Sequence, residues 1–205
     1  MKKYFLLLAF AFTGVVSTAI SQTKNGLVTN YNVDTIISTF QWHAKKILGS
    51  HDGDIKCNQG QINFKDTVLS DAYIIIDMTT INNTDLSGNS RDALVRHLKS
   101  GDFFEVEKYK TSELRVKNVK IIRPTAKYPY NYEITAEITI KGISKEIKFP
   151  AMIEYLNNYI TVTAKLEIDR TDFGIKYASK KFFKKIADGA INDKFSMTVN
   201  LIARK

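Results

Sequence analysis

Apolar and polar side chains alternate with period two through the last third of this chain, and that alternation limits what it can fold into. Tyr132, Ile134, Ala136, Ile138 and Ile140 fall on one side of an extended backbone; Glu133, Thr135, Glu137 and Thr139 fall on the other. Ile147, Phe149, Ala151, Ile153 and Tyr155 repeat the pattern. So do Ile160, Val162, Ala164, Leu166 and Ile168, and then Phe195, Met197, Val199 and Leu201. Successive side chains of a strand point to opposite faces, so these segments read as strands with one buried and one wet face. Asn157-Asn158 tolerates the positive φ of a tight hairpin, and Lys141-Gly142-Ile143-Ser144 reads as a second turn. Less regular strands are expected over residues 38–46, 56–64, 69–81 and 113–122. About eight or nine strands with no crossover helices predict an all-β, antiparallel barrel or sandwich.

Two short helices are expected to interrupt the strands. Ser90 would cap residues 91–100, with Leu94 and Leu98 one turn apart and Gly101 just beyond the end. Ser179 would cap residues 180–187, with Phe182, Phe183 and Ile186 packed inward and Lys180, Lys181, Lys184 and Lys185 facing water.

The N-terminus has the three parts of an export signal. Lys2 and Lys3 precede an apolar run from Tyr4 to Val16, followed by Ser17-Thr18-Ala19-Ile20-Ser21. We expect cleavage after Ser21, leaving residues 22–205 as one mature domain. The apolar run falls short of the roughly 20 residues of a comfortable membrane span. No cysteine follows the small residues, so a lipid-modified N-terminus is not expected. Cys57 is the single cysteine, which leaves no partner for a disulfide within the chain; a buried, inert thiol is its expected state. The formal charge of +9 falls by the two leader lysines on export. A basic balance of this kind fits a solubilising surface, an anionic membrane or an acidic ligand. Nucleic acid is not an expected partner, because no basic strand pattern interleaved with aromatics is present.

Five segments, in order, resemble the YceI-like family of polyisoprenoid-binding proteins. They are GSHDG at 49–53, RDALVRHLKSGDFFEVEKY at 91–109, TIKGISKEI at 139–147, IDRTDFGI at 168–175 and DGAIND at 188–193. Lys110 and Leu114 depart from the family's usual Pro and Phe. The resemblance implies an eight-stranded lipocalin-like barrel with one or two short helices and an elongated apolar cavity for an isoprenoid or other long-chain lipid. It implies no cofactor and a periplasmic location, and a transient membrane-surface contact and a homodimer are both compatible with it. Inward positions expected to line the cavity are Phe40, Trp42, Phe64, Ile76, Met78, Leu114, Ile138, Phe149, Ile153, Val162, Leu166, Met197 and Val199. The face assignment depends on register, because a slip of one residue inverts it. It is weakest at Ile74-Ile75-Ile76, which is apolar on both faces. Ala136, Ala151 and Ala164 either leave room in the interior or fit a tight core.

The chemistry-bearing residues are few. His51 with Asp52 and Asp54 has metal-compatible ligand types, but no pair of histidines is spaced to ligate from one element, and the composition is also that of a turn. No metal site is expected. His97 reads as a partly buried histidine with a hydrogen-bonding partner, or else as a head-group contact. Asp169-Arg170-Thr171-Asp172 reads as a structural corner, with Arg170 as a possible second head-group contact. No nucleophile elbow, phosphate loop or dinucleotide fingerprint is present, so no catalysis is expected. The competing readings are an enzyme on a lipid or quinone-like molecule, using His51 or His97 as acid or base, and a ligand-free structural barrel.

Overall fold

The computed structural model describes residues 26–156, 158–183, 185 and 189–205. The expected export signal over residues 1–21 lies outside them. Nine strands form one antiparallel sheet: β1 (Val28–Val33), β2 (Thr39–Lys46), β3 (Ser50–Lys65), β4 (Val68–Asn83), β5 (Thr111–Ile121), β6 (Tyr132–Ile140), β7 (Ile143–Leu156), β8 (Tyr159–Asp169) and β9 (Ile191–Arg204). One helix, α1 (Gly88–Lys99), follows β4, and a short 3-10 turn (Arg170–Phe173) follows β8.

The sheet closes on itself. Its order is β1-β3-β2-β9-β8-β7-β6-β5-β4, and β4 pairs back onto β3. β3 is long enough to take two partners along one edge. β1 covers its second half, with Val28 opposite Lys65, and β2 covers its first half, with Lys45 opposite Ser50. β1 and β2 therefore occupy one position in the ring, which makes an eight-position barrel from nine strands. Every strand has neighbours on both sides, but not along its whole length: β4 and β5 pair only over Tyr73–Asp77 and Thr111–Arg115, and β1 meets β9 only at Asn32 and Val33.

The alternation sets the inward face. In β6 the apolar set Tyr132, Ile134, Ala136, Ile138 and Ile140 is buried throughout. The β6–β7 hairpin turns on Lys141 (φ 51°) and Gly142 (φ 72°), the paired positive angles of the two-residue turn that matches strand twist. Ile74, Ile76 and Met78 take the inward positions in the ambiguous stretch of β4. There the register against β3 jumps from Asn82 opposite Asp54 to Asp77 opposite Lys56.

Four expectations need correction. β1 is a strand that pattern reading passed over. GSHDG is not a turn as a whole: the chain reverses at residues 47–49, and His51, Asp52 and Gly53 already lie in β3. Ser90 lies inside α1, which starts after Ser87, and no side-chain bond caps it. Residues 180–183 form turns rather than a helix. Ser179 does accept from the Lys181 N–H, but Phe182 and Phe183 are 41% and 49% exposed instead of packed inward. Ile186 lies outside the described residues.

Gly53 sits where two strands pack closely. A Cβ there would overlap the Asn82 carbonyl oxygen and the Trp42 ring, whose Nε1 donates to that same oxygen at 3.1 Å. Neither neighbour is the free end of a flexible side chain, so the overlap cannot be relieved locally. Gly53→Ala is expected to cost about 2–3 kcal/mol, the upper range for overpacking, as a lowered midpoint in urea unfolding. An unchanged midpoint would refute the packing assignment.

Candidate functional site

The inward side chains do not fill the barrel. Two apolar cavities, each of about 130 Å³, lie in series along its axis. By volume each holds roughly ten water-sized spheres, the size class of engineered apolar cavities that bind benzene. The upper one lies beneath α1 and is lined by Trp42, Ala44, Ile55, Met78, Leu98, Phe103, Phe104 and Phe195 among others. The lower one is lined by Phe40, Ile62, Leu69, Leu114, Phe149, Ile153, Val162, Leu166 and Val199 among others. Ile76, Ser112, Ile138, Ile168 and Met197 border both and form a waist between them.

Of the thirteen positions expected to line the cavity, the structure puts twelve along these two spaces. The exception is Phe64, which is 1% exposed. It packs edge-on to Tyr31 at 5.8 Å and Tyr155 at 4.9 Å and closes the lower end. The Tyr155 hydroxyl completes that plug by donating to the Thr67 carbonyl at 2.9 Å. Burial pushes the Tyr155 pKa above its ordinary value, with Tyr132 and Tyr31 adding to the effect. Of the three inward alanines, only Ala164 borders a cavity; Ala136 and Ala151 are fully buried. Sequence reading missed the lining contributed by the cap, Leu98, Phe103, Phe104 and Ile175, and by Ile191 at the start of β9. Leu98 was legible as the apolar side of a helix, but nothing local to it says that the helix closes a barrel.

The polar residues at the upper rim are occupied with holding it together. Arg170 is 4% exposed. Its Nε donates to Asn192 O at 3.0 Å; Nη1 donates to Ile175 O at 3.1 Å and Tyr177 O at 2.8 Å; Nη2 donates to Ile191 O at 3.0 Å and lies 3.5 Å from Asp193 Oδ1. Burial lowers its pKa, and Asp193 and Asp169 oppose that shift. With its five N–H groups spent on this corner, Arg170 has none left for a head group. Asp169 caps the 3-10 turn by accepting from the Thr171 N–H at 2.8 Å.

The three histidines each face an aspartate at this same end. His97 Nε2 lies 3.2 Å from Asp102 Oδ2, and its ring stands edge-on to Phe103 and Tyr177. It borders neither cavity. His43 Nδ1 lies 2.6 Å from Asp52 Oδ1, and His51 Nδ1 lies 2.9 Å from Asp85 Oδ2. His51 and Asp52 are adjacent in β3 and point to opposite faces, so His51, Asp52 and Asp54 cannot converge on one ion. Among the described residues no group of three or more His, Cys, Asp or Glu side chains is arranged to hold a metal. Cys57 is buried, and desolvation pushes its thiol up to about 11.

Asp85 links the barrel to the cap. Its carboxylate accepts from the Asp52 N–H at 2.8 Å, meets His51, and takes an N–H from Asn83. Burial alone would raise its pKa, but the hydrogen bonds from Asp52, His51 and Asn83 outweigh it and hold the group at about 2.

A family model, the YceI-like domain, matches residues 31–203. No curated protein matches the chain. Solved structures similar in fold include BcnA of Burkholderia cenocepacia, at a TM-score of 0.64 and 18% identity, covering 83% of this chain and 98% of that one. A polyisoprenoid binding domain from Saccharophagus degradans aligns at a TM-score of 0.58 and 13% identity, covering 85% and 97%. A Campylobacter jejuni YCEI protein aligns at 0.55 and 19%, covering 100% and 99%.

Two predictions follow from the rim. A carboxylate whose pKa is depressed on folding contributes stability above its unfolded value, near 3.9, and loses it as pH falls toward the folded value. Asp85→Asn should therefore lower the melting temperature at pH 7, and the gap from the parent protein should close between about pH 4 and pH 2. A gap that stays constant with pH would show that the charge of Asp85 is not what matters. Arg170→Met removes the donors of four buried or part-buried carbonyls at once and should cost about 3 kcal/mol or more, read as a shift in the denaturant midpoint. A shift below about 1 kcal/mol would mean that water replaces the guanidinium without loss.

Proposed function

We propose that this chain, which belongs to the YceI-like domain family, binds one long apolar lipid chain, a polyisoprenoid or similar, along its barrel axis and does no chemistry on it. The observation that carries this reading is two apolar spaces in series, sharing the side chains of a waist and walled almost wholly by hydrocarbon. A compact ligand would need one rounded cavity. Two narrow ones end to end suit a chain that threads the waist at Ile76, Ile138 and Met197. A polyisoprenoid-binding domain among the similar folds supports the same ligand class. The driving force is burial of methylene groups at about 0.8 kcal/mol each, so ten would contribute about 8 kcal/mol before ordering costs.

A binding role also agrees with where the ionisable groups lie. His51 and His97, the two acid–base candidates, border neither cavity, and each is engaged with an aspartate. The export signal read from residues 1–21 of the sequence supports a periplasmic site of action. A soluble barrel there would keep an insoluble tail out of water between two membranes.

The waist supplies the test. Ile138→Trp places a larger ring where the two cavities meet. Native mass spectrometry after incubation with prenyl alcohols of increasing length is expected to show uptake of long chains by the parent protein. In the variant, uptake of chains that need both cavities should fall at least tenfold, while chains short enough for one cavity should still bind. A thermal melt would check that the variant is folded. Equal loss at every length, or no uptake of any prenyl or acyl chain by the parent protein, would overturn the threading model.

A further inference from the structure

The segment after the 3-10 turn is unusual in charge. Residues 174–190, between that turn and β9, contain five lysines and one carboxylate, Asp188. Arg170 anchors the start of this segment through the carbonyls of Ile175 and Tyr177, and the Ile191 N–H bonds Ala178 O at 2.9 Å. The segment is thereby held against the start of β9, where Ile191 and Phe195 border the upper cavity. Two aromatic rings stand out from it into water, Phe182 and Phe183. Lys176 Nζ lies 4.9 Å and Lys181 Nζ 5.9 Å from the centre of the Phe182 ring. Lys180 and Lys185 are exposed beside them.

We infer that this cationic, aromatic rim docks on the surface of an anionic lipid bilayer. Exposed aromatics flanked by ammonium groups match an interface with apolar chains below and anionic head groups above. Lysines near such a surface are attracted to it within a Debye length, while the rings enter the boundary region. Acidic protein partners offer the charge but not the apolar layer that two exposed phenylalanines call for. The opposite end of the barrel also exposes apolar side chains, Leu27 and Leu156 among them, but it is closed by the plug of Tyr31, Phe64 and Tyr155. The docking rim lies at the end where the upper cavity meets exposed Asn192 and half-buried Phe195. The inference deepens the lipid-binding reading by naming where the chain enters and leaves. Each fails separately, because vesicle binding reports the rim and chain uptake reports the interior.

Flotation of the purified protein with vesicles decides it. We expect binding to vesicles of phosphatidylcholine with 30 mol% phosphatidylglycerol, at least tenfold stronger than to pure phosphatidylcholine, and weakening as salt is raised. Phe182→Ser with Phe183→Ser, and separately Lys180→Glu with Lys185→Glu, should each reduce that binding at least tenfold. Both variants change exposed residues and should keep the parent melting temperature and prenyl-chain uptake. Lys65→Glu with Lys120→Glu makes the same charge change at the closed end and should leave vesicle binding within twofold. Binding that is absent, indifferent to phosphatidylglycerol, or reduced equally by the closed-end variant would overturn the proposal.

Discussion

The ring of strands closes at β3, and every property of the interior depends on that closure. Sixteen residues give β3 the length to carry β1 and β2 end to end on one edge while pairing with β4 on the other. Without the β3–β4 ladder the sheet would be open, with its apolar face toward solvent. With it, the inward face of every strand turns toward one axis. A barrel of this strand number is at the limit where side chains can either fill the interior or leave space for one small ligand. Side-chain size then decides. Fully buried Ala136 and Ala151 mark places where the wall is tightly packed. Ile76 and Met197 at the waist, and Val162 and Val199 in the lower cavity, point inward yet keep part of their surface accessible, because they border space rather than neighbours.

Polar chemistry is kept to the upper rim. A buried cation is costly unless its donors are all met. Arg170 meets that condition with backbone carbonyls from two separate stretches, so it fixes its own 3-10 turn, residues 175–177 and the start of β9 relative to one another. This placement explains why Arg170, the one buried cation among the described residues, lies next to an apolar cavity without making it polar. Its charge is directed into the corner, and its stem adds to the lining. The His–Asp pairs do related work for the cap: His51 with Asp85 at the entry to α1, and His97 with Asp102 after its end.

What could be read from the sequence depended on whether a local pattern had a local cause. β6 was legible to the residue, because each position alternates and the two-residue turn after it is encoded by Lys141-Gly142. β1 was not. It has six residues, its outward positions include Asn30 and Asn32, and only Tyr31 and Val33 are buried, so its identity comes from pairing with β3. Gly53 was read as a turn glycine from its Ser-His-Asp neighbours. Its real cause is the Trp42 ring on the next strand, which no local window contains. Phe64 was correctly placed inside but wrongly placed along the axis: alternation gives the face of a residue, not its height. The cap residues Phe103 and Phe104 lie outside any periodic element, and only the tertiary fold brings them over the barrel.

The two halves of the functional reading constrain each other through the thermodynamics of transfer. Moving an apolar chain from water into the barrel is strongly favourable, but a chain resting in a bilayer has already left water. Lipid tails are as apolar as the leucine and isoleucine of a protein interior. The transfer from bilayer to barrel therefore gains little from hydrophobic burial, and what remains is fit. A smooth, wide cavity would hold any chain weakly. Two narrow spaces and a waist reward chains whose width matches throughout, since a poor fit forfeits dispersion contacts that the fluid bilayer does supply. A near-balanced exchange of this kind is also reversible, as a carrier requires, and its rate is set by how often the open end meets a membrane. On the proposed reading this gives the rim a kinetic role that the interior cannot perform: the interior would select the chain, and the lysines and phenylalanines at the mouth would govern where and how often it is exchanged.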